Sequence, residues 1–161
     1  MDASLHRIDD LDLYDDLHVW ALPVTRGTAV LVVDDDPAMR DLVALRFHLL
    51  GYPVETACSV PDAIAELETG RIGAVVSDHA MPRATGLELL SYVRRRRLLI
   101  PFVLMTGVLT PELEEAALEG GAATALDKRD LLQALPDLFF HAAPGLRRVE
   151  VVPAVSQEIH R

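Results

Sequence analysis

Cysteine and lysine each occur once in this chain, as Cys58 and Lys128. A lone cysteine excludes an internal disulfide framework and fits a reducing compartment; its simplest reading is a small buried hydrophobe. No apolar run approaches the roughly 18 to 20 residues of a membrane span. The acidic start lacks the character of a signal peptide, so a soluble cytoplasmic protein is expected. Basic charge is also scarce. Lys and Arg number 15 against 25 Asp and Glu, and the formal net charge of −10 disfavours a nucleic-acid-binding surface. The other basic residues are all arginine, so Lys128 stands out for any site that needs a compact ammonium rather than a planar fork.

What the chain has in quantity is apolar: 50% of its 161 residues are hydrophobic, enough for one domain with a sizeable core and short extensions. Residues 1–27 form an acidic N-terminal extension with Tyr14 and Trp20, closing at Pro23 and Gly27. Residues 141–161 follow a Pro144–Gly145 break and contain RRVEVVPAV, which reads as a short strand. Between them, short apolar runs alternate with helix-period segments. The runs Ala29–Val33, Val54–Ala57, Ala74–Ser77, Phe102–Met105 and Ala122–Leu126 have the near-continuous apolar character of parallel strands covered on both faces. Helices are predicted over 37–50, 60–69, 85–96, 111–119 and 129–140. In the first, Leu42, Leu45 and Leu49 follow the i, i+3, i+7 spacing of an amphipathic stripe. Asp36-Pro37, Ser59 and Thr110-Pro111 read as N-caps, and Gly51, Gly70 and Gly120-Gly121 as stops. Five strand–helix units in succession imply an α/β fold, a doubly wound parallel sheet of about a hundred residues.

In such sheets ligands sit at the carboxyl ends of the strands. Strand one ends in Asp34, Asp35 and Asp36; strand three in Ser77-Asp78, then His79, Ala80 and later Gly86; strand four in Thr106-Gly107; strand five in Asp127-Lys128. Asp34, Asp35 and Asp78 on one edge would repel one another strongly unless a divalent cation sat among them. Hard carboxylate oxygens completed by water describe Mg²⁺ better than zinc. A metal, a hydroxyl (Thr106) and an ammonium (Lys128) suit the three charge-bearing oxygens of a phosphoryl group, leaving a carboxylate free as nucleophile. Asp36 precedes Pro37 and reads instead as the cap of the first helix.

The segments VLVVDDDP, VVSDHAMPRATG, VLMTG and GAATALDK, in that order at successive strand ends, closely resemble the receiver domain of bacterial two-component response regulators. The resemblance covers roughly residues 28–140. It implies a flavodoxin-like sheet of five strands in the order 2-1-3-4-5 with five helices. It also implies Asp78 as phosphoacceptor, and Asp34, Asp35, Asp78 and the Ala80 carbonyl as Mg²⁺ ligands. Thr106 would be the switch hydroxyl and Lys128 the phosphate-binding lysine. The partners implied are a sensor histidine kinase or histidine phosphotransfer protein and a downstream protein. The expected function is that of a single-domain response regulator that signals by altered binding, not an enzyme in turnover. Its C-terminal extension could pair with its own sheet edge or with that of a second copy as a homodimer.

Departures from the family pattern are visible too. Arg129 follows Lys128 where receivers usually carry a cis proline, so a trans bond is expected there. Ala125 stands where an aromatic residue usually couples the threonine to the output face; the Ala125 and Arg129 departures together favour an alternative, a receiver acting by interaction without phosphorylation. Ala80 and Val108 lack the polar side-chain atoms that would orient a hydrolytic water, so a long-lived phosphoaspartate is expected. Two other functions fit the topology less well. A flavodoxin-like cofactor binder would want a Ser/Thr/Gly-rich loop after strand one. An aspartyl phosphatase would match the spacing of Asp34 and Asp36 but leave Asp78, Thr106 and Lys128 unused. The Arg94–Arg97 run reads as solvated cations at a helix C-terminus, and His79 as a solvent-facing residue at the rim of the site.

Overall fold

Strand β1 (Ala29–Val33) is buried at every residue, and its alternate side chains go to opposite sides of the sheet. Ala29, Leu31 and Val33 join one core cluster, while Val30 and Val32 join a second. A strand apolar on both faces needs cover on both, and the helices supply it. In the computed structural model, which describes residues 29–131 and 133, β1 is followed by α1 (Pro37–Leu49), β2 (Val54–Ala57), α2 (Val60–Glu68) and β3 (Ile72–Asp78). Then come α3 (Gly86–Arg95), β4 (Phe102–Thr106), α4 (Pro111–Glu119) and β5 (Thr124–Asp127), and residues 128–131 turn helical again. All strand pairs are parallel, in the order β2-β1-β3-β4-β5. This is the expected doubly wound, flavodoxin-like sheet. The body of the expected fifth helix, both extensions and the C-terminal strand lie outside the described residues.

Helix starts agree closely with the sequence. Asp36 Oδ1 accepts the Ala38 N–H at 2.9 Å, and Ser59 and Thr110 cap α2 and α4 in the same manner. One cap escaped the sequence reading. Thr85 and Glu88 form a reciprocal capping box on α3, although T-x-x-E is its usual signature.

Several expectations need correction. The leucine row of α1 does not face the core: Val43 and Phe47 are fully buried, whereas Leu42, Leu45 and Leu49 are 40%, 53% and 62% exposed. Both rows are apolar at helical spacing, so periodicity alone cannot say which one meets the sheet. Strand β5 begins two residues later than expected, because the Ala122 N–H closes α4 on the Ala117 carbonyl after Gly121 turns at φ +93°. β2, at a sheet edge, is only partly buried rather than covered on both faces. Cys58 is exposed, its Sγ 3.0 Å from Asp62 Oδ2, and that hydrogen bond raises the thiol pKa.

The arginine run is not uniformly solvated either. Arg95, Arg96 and Arg97 are exposed, but Arg94 is half-buried. Its guanidinium donates to the carbonyls of Leu98 (2.9 Å), Ile100 (3.2 Å) and Gly121 (2.7 Å), tying the α3–β4 and α4–β5 loops together. Burial lowers its pKa.

Candidate functional site

The strand register sets the site. Val33 is level with Ser77, Asp78 with Met105, and Thr106 with Asp127, so the residues just past each position gather at one carboxyl edge. The buried polar residues among those described are Asp34, Ser77, Asp78 and Thr106, and all four stand at that edge. Buried polar groups gathered at one strand edge define a candidate site rather than a core.

Asp34, Asp35 and Asp78 each offer a carboxylate oxygen within 4.8 Å of the other two. Lys128 Nζ lies 2.8 Å from Asp34 Oδ2 and 3.1 Å from Asp78 Oδ1, bridging β1 and β3 from the end of β5. Apart from that ammonium, neither buried oxygen has a partner. Burial raises the Asp34 pKa; the Lys128 contact and the Asp36 N–H, which donates to Oδ1 at 2.9 Å, oppose the rise. For Lys128, burial acts to lower the pKa, but hydrogen bonds to Asp34 and Asp78 outweigh it and the net shift is upward. Three clustered carboxylates against one ammonium leave negative charge in excess. Two of the oxygens are buried and short of donors, so the donor set fits a hard divalent cation. Asp36 takes no part, its side chain being committed to α1.

The remaining expected residues are placed as follows. Thr106 is buried at the end of β4, but its hydroxyl faces the following loop, 3.3 Å from the Val108 carbonyl and 3.4 Å from the Val108 N–H. Both contacts are long for a hydroxyl, so the group is weakly held. Ala80 and Val108 are exposed. Ala125 is buried in the cluster shared with α3 and α4. His79 departs from expectation. It is half-buried, its backbone bonded to Met105, Met81 and Gly86, with Nδ1 buried and unpartnered.

The Lys128–Arg129 peptide is trans. Arg129 uses the N–H that a proline would lack, donating it to Asp127 Oδ1 at 2.9 Å while its guanidinium grips the same carboxylate. The guanidinium and backbone bonds of Arg129 lower the Asp127 pKa to about 2.

Two supporting contacts were not legible in advance. The Arg40 guanidinium donates to the Asp34 carbonyl at 2.9 Å and steadies the end of β1. A Cβ on Gly86 would collide with the Asp78 carbonyl and Leu104, so only glycine lets α3 start this close to the end of β3. The glycine itself stands in plain view in the sequence after Asp78, but only the fold brings it against that carbonyl.

Fold and site together define a class: a parallel α/β sheet carrying paired acids, a hydroxyl and a lysine at its strand ends. The chain matches the response regulator receiver domain family over residues 30–138, and it belongs to that family. It is 35% identical over 153 residues to the sensor histidine kinase RcsC of Salmonella typhi, covering 91% of this chain and 16% of that protein. It is 35% identical over 104 residues to the transcriptional regulatory protein TcrA of Mycobacterium tuberculosis, covering 63% of this chain and 40% of that protein. Thus the chain spans less than half the length of these relatives. The chemotaxis protein CheY4 of Vibrio cholerae superposes with a TM-score of 0.61 at 30% identity, over 69% of this chain and 98% of that one.

Proposed function

We propose that the receiver, taken as residues 28–140, accepts a phosphoryl group on Asp78 from the phosphohistidine of a sensor histidine kinase or histidine phosphotransfer protein. A carboxylate oxygen of Asp78 attacks phosphorus, the P–N bond breaks, and imidazole leaves, giving an acyl phosphate. Asp34, Asp35, Asp78 and the Ala80 carbonyl would hold Mg²⁺, which supplies charge neutralisation for the incoming oxygens when bound. Lys128 leaves its ion pairs to meet one phosphoryl oxygen, and the weakly held Thr106 hydroxyl turns to another. The altered surface then changes binding to a downstream protein. This chemistry belongs in the cytoplasm.

The observation that carries the reading is Lys128 Nζ seated between Asp34 and Asp78, at 2.8 and 3.1 Å. A lysine so placed compensates the acids at rest and is within reach of any group attached to Asp78. The test is labelling by acetyl phosphate. Wild type should incorporate phosphate with Mg²⁺ and lose labelling in EDTA, and Asp78→Asn should not label; equal labelling of the variant would refute the assignment. After the donor is removed the label should persist well beyond seconds, given Ala80 and Val108. Ala125 supports a second reading, in which the domain acts by interaction without phosphorylation, because no aromatic ring there can follow Thr106 inward. Partner binding that is identical in wild type and Asp78→Asn would favour it.

A further inference from the structure

Lys128 works at long reach. It follows β5, whereas Asp78 ends β3 and Asp34 follows β1, two and three places away in the sheet. Neighbouring strands lie about 4.8 Å apart, so the span is roughly 10 to 14 Å. Nζ nevertheless stands 3.1 Å from Asp78 Oδ1 and 2.8 Å from Asp34 Oδ2. A flexible four-carbon stem makes that span only from a backbone aimed across the strand ends, and a small rotation at its base becomes a large displacement at its tip. The two residues flanking Lys128 are tied to each other. The Arg129 N–H donates to Asp127 Oδ1 at 2.9 Å, closing an Asx turn whose ring contains both backbone torsions of Lys128. The Arg129 guanidinium then holds both carboxylate oxygens, Nε to Oδ1 at 2.9 Å and Nη2 to Oδ2 at 3.1 Å. A carboxylate gripped in this two-pronged way is fixed in orientation as well as in place.

We propose that Asp127 and Arg129 are positioning residues: they form a clamp that fixes the Lys128 backbone and so aims its ammonium at Asp34 and Asp78, and at a phosphoryl group carried by Asp78. The last part rests on the phosphoacceptor reading above; the aiming of Lys128 at the two acids does not. Stability alone gives the pair little reason to exist. The Arg129 side chain is 86% exposed, against 12% for Asp127, and an ion pair so open to water contributes little to folding. Its effect is local. It removes torsional freedom from one residue, and that residue is the one whose side chain joins the two buried acids. The clamp also stays ionised across the working pH range, because the Arg129 guanidinium and N–H lower the Asp127 pKa to about 2.

Variants of the full chain test this in two assays. Denaturant unfolding in EDTA supplies a double-mutant cycle between Arg129→Ala and Lys128→Met, whose stem is similar in length but uncharged. Arg129→Ala should lower the unfolding midpoint in the native background and shift it clearly less in Lys128→Met, where the clamp has no ammonium to aim. Equal shifts in the two backgrounds would show a purely local ion pair and overturn the proposal. Labelling by acetyl phosphate is the second assay. At saturating donor, Arg129→Ala should label about tenfold more slowly than wild type, with half-saturation by Mg²⁺ unchanged. Asp127→Ala should match it, since loss of either end opens the clamp. Arg129→Lys should stay slow, because an ammonium cannot hold both oxygens as the fork does. Wild-type rates in Arg129→Ala would overturn the proposal, and full recovery in Arg129→Lys would replace the clamp with a simple charge effect. Failure of wild type itself to label would refute the phosphoacceptor reading, while the unfolding cycle would still decide whether the clamp aims Lys128.

Discussion

Replacing Lys128 by alanine removes the positive charge that, among the described residues, touches both buried acids. At an effective dielectric of about 20, charges separated by 2.8 and 3.1 Å attract by about 6 and 5 kcal/mol. Desolvation of the ammonium and its 17% exposed side chain offset much of this. The net loss expected is therefore the roughly 3–5 kcal/mol seen when a buried pair is broken from one side. The loss should depend on pH. Burial already raises the Asp34 pKa, and removing the lysine raises it further, so the folded state holds a proton that the unfolded state has released. Stability of the variant therefore falls as pH rises from the ordinary carboxylate range through the raised pKa, and the gap to wild type is widest above it. Mg²⁺ should narrow that gap, because a divalent cation among Asp34, Asp35 and Asp78 replaces the missing charge. Denaturant unfolding of wild type and Lys128→Ala at two pH values, in EDTA and in Mg²⁺, measures all of these effects. A variant as stable as wild type at about pH 8, well above the carboxylate range, in EDTA would refute the electrostatic account. A deficit unmoved by Mg²⁺ would refute the cation site.

Asp36→Ala should cost about 1 kcal/mol of stability through the lost helix cap yet leave Mg²⁺ affinity unchanged, as followed by unfolding and by metal titration. Gly86→Ala should destabilise by roughly 1–3 kcal/mol and slow acetyl-phosphate labelling, since its methyl group can be accommodated only by moving the Asp78 backbone or Leu104. Arg94→Met should lower unfolding stability by about 2–3 kcal/mol by orphaning the carbonyls of Leu98, Ile100 and Gly121, whereas Arg95→Ala should stay within about 0.5 kcal/mol.

Local chemistry is written in the sequence, and that much of the molecule was readable. An aspartate before proline caps a helix whatever surrounds it, so Asp36 could be separated from Asp34 and Asp35 without coordinates. Continuous apolar runs ending in polar residues marked the strands and the edge on which Asp34, Asp78, Thr106 and Lys128 gather. Tertiary structure decided which of two competing surfaces each element uses. The α1 leucines and the Val43–Phe47 pair have similar helical spacing, and only the position of the sheet selects between them. Arg94 and Arg95 are identical in type and adjacent, yet one meets three carbonyls from other loops and the other meets solvent. The pairing of Lys128 with acids far away in the chain likewise depends on strand order. Periodicity reports a residue's angle about its own axis; burial and partners depend on where that axis is set against the rest of the chain.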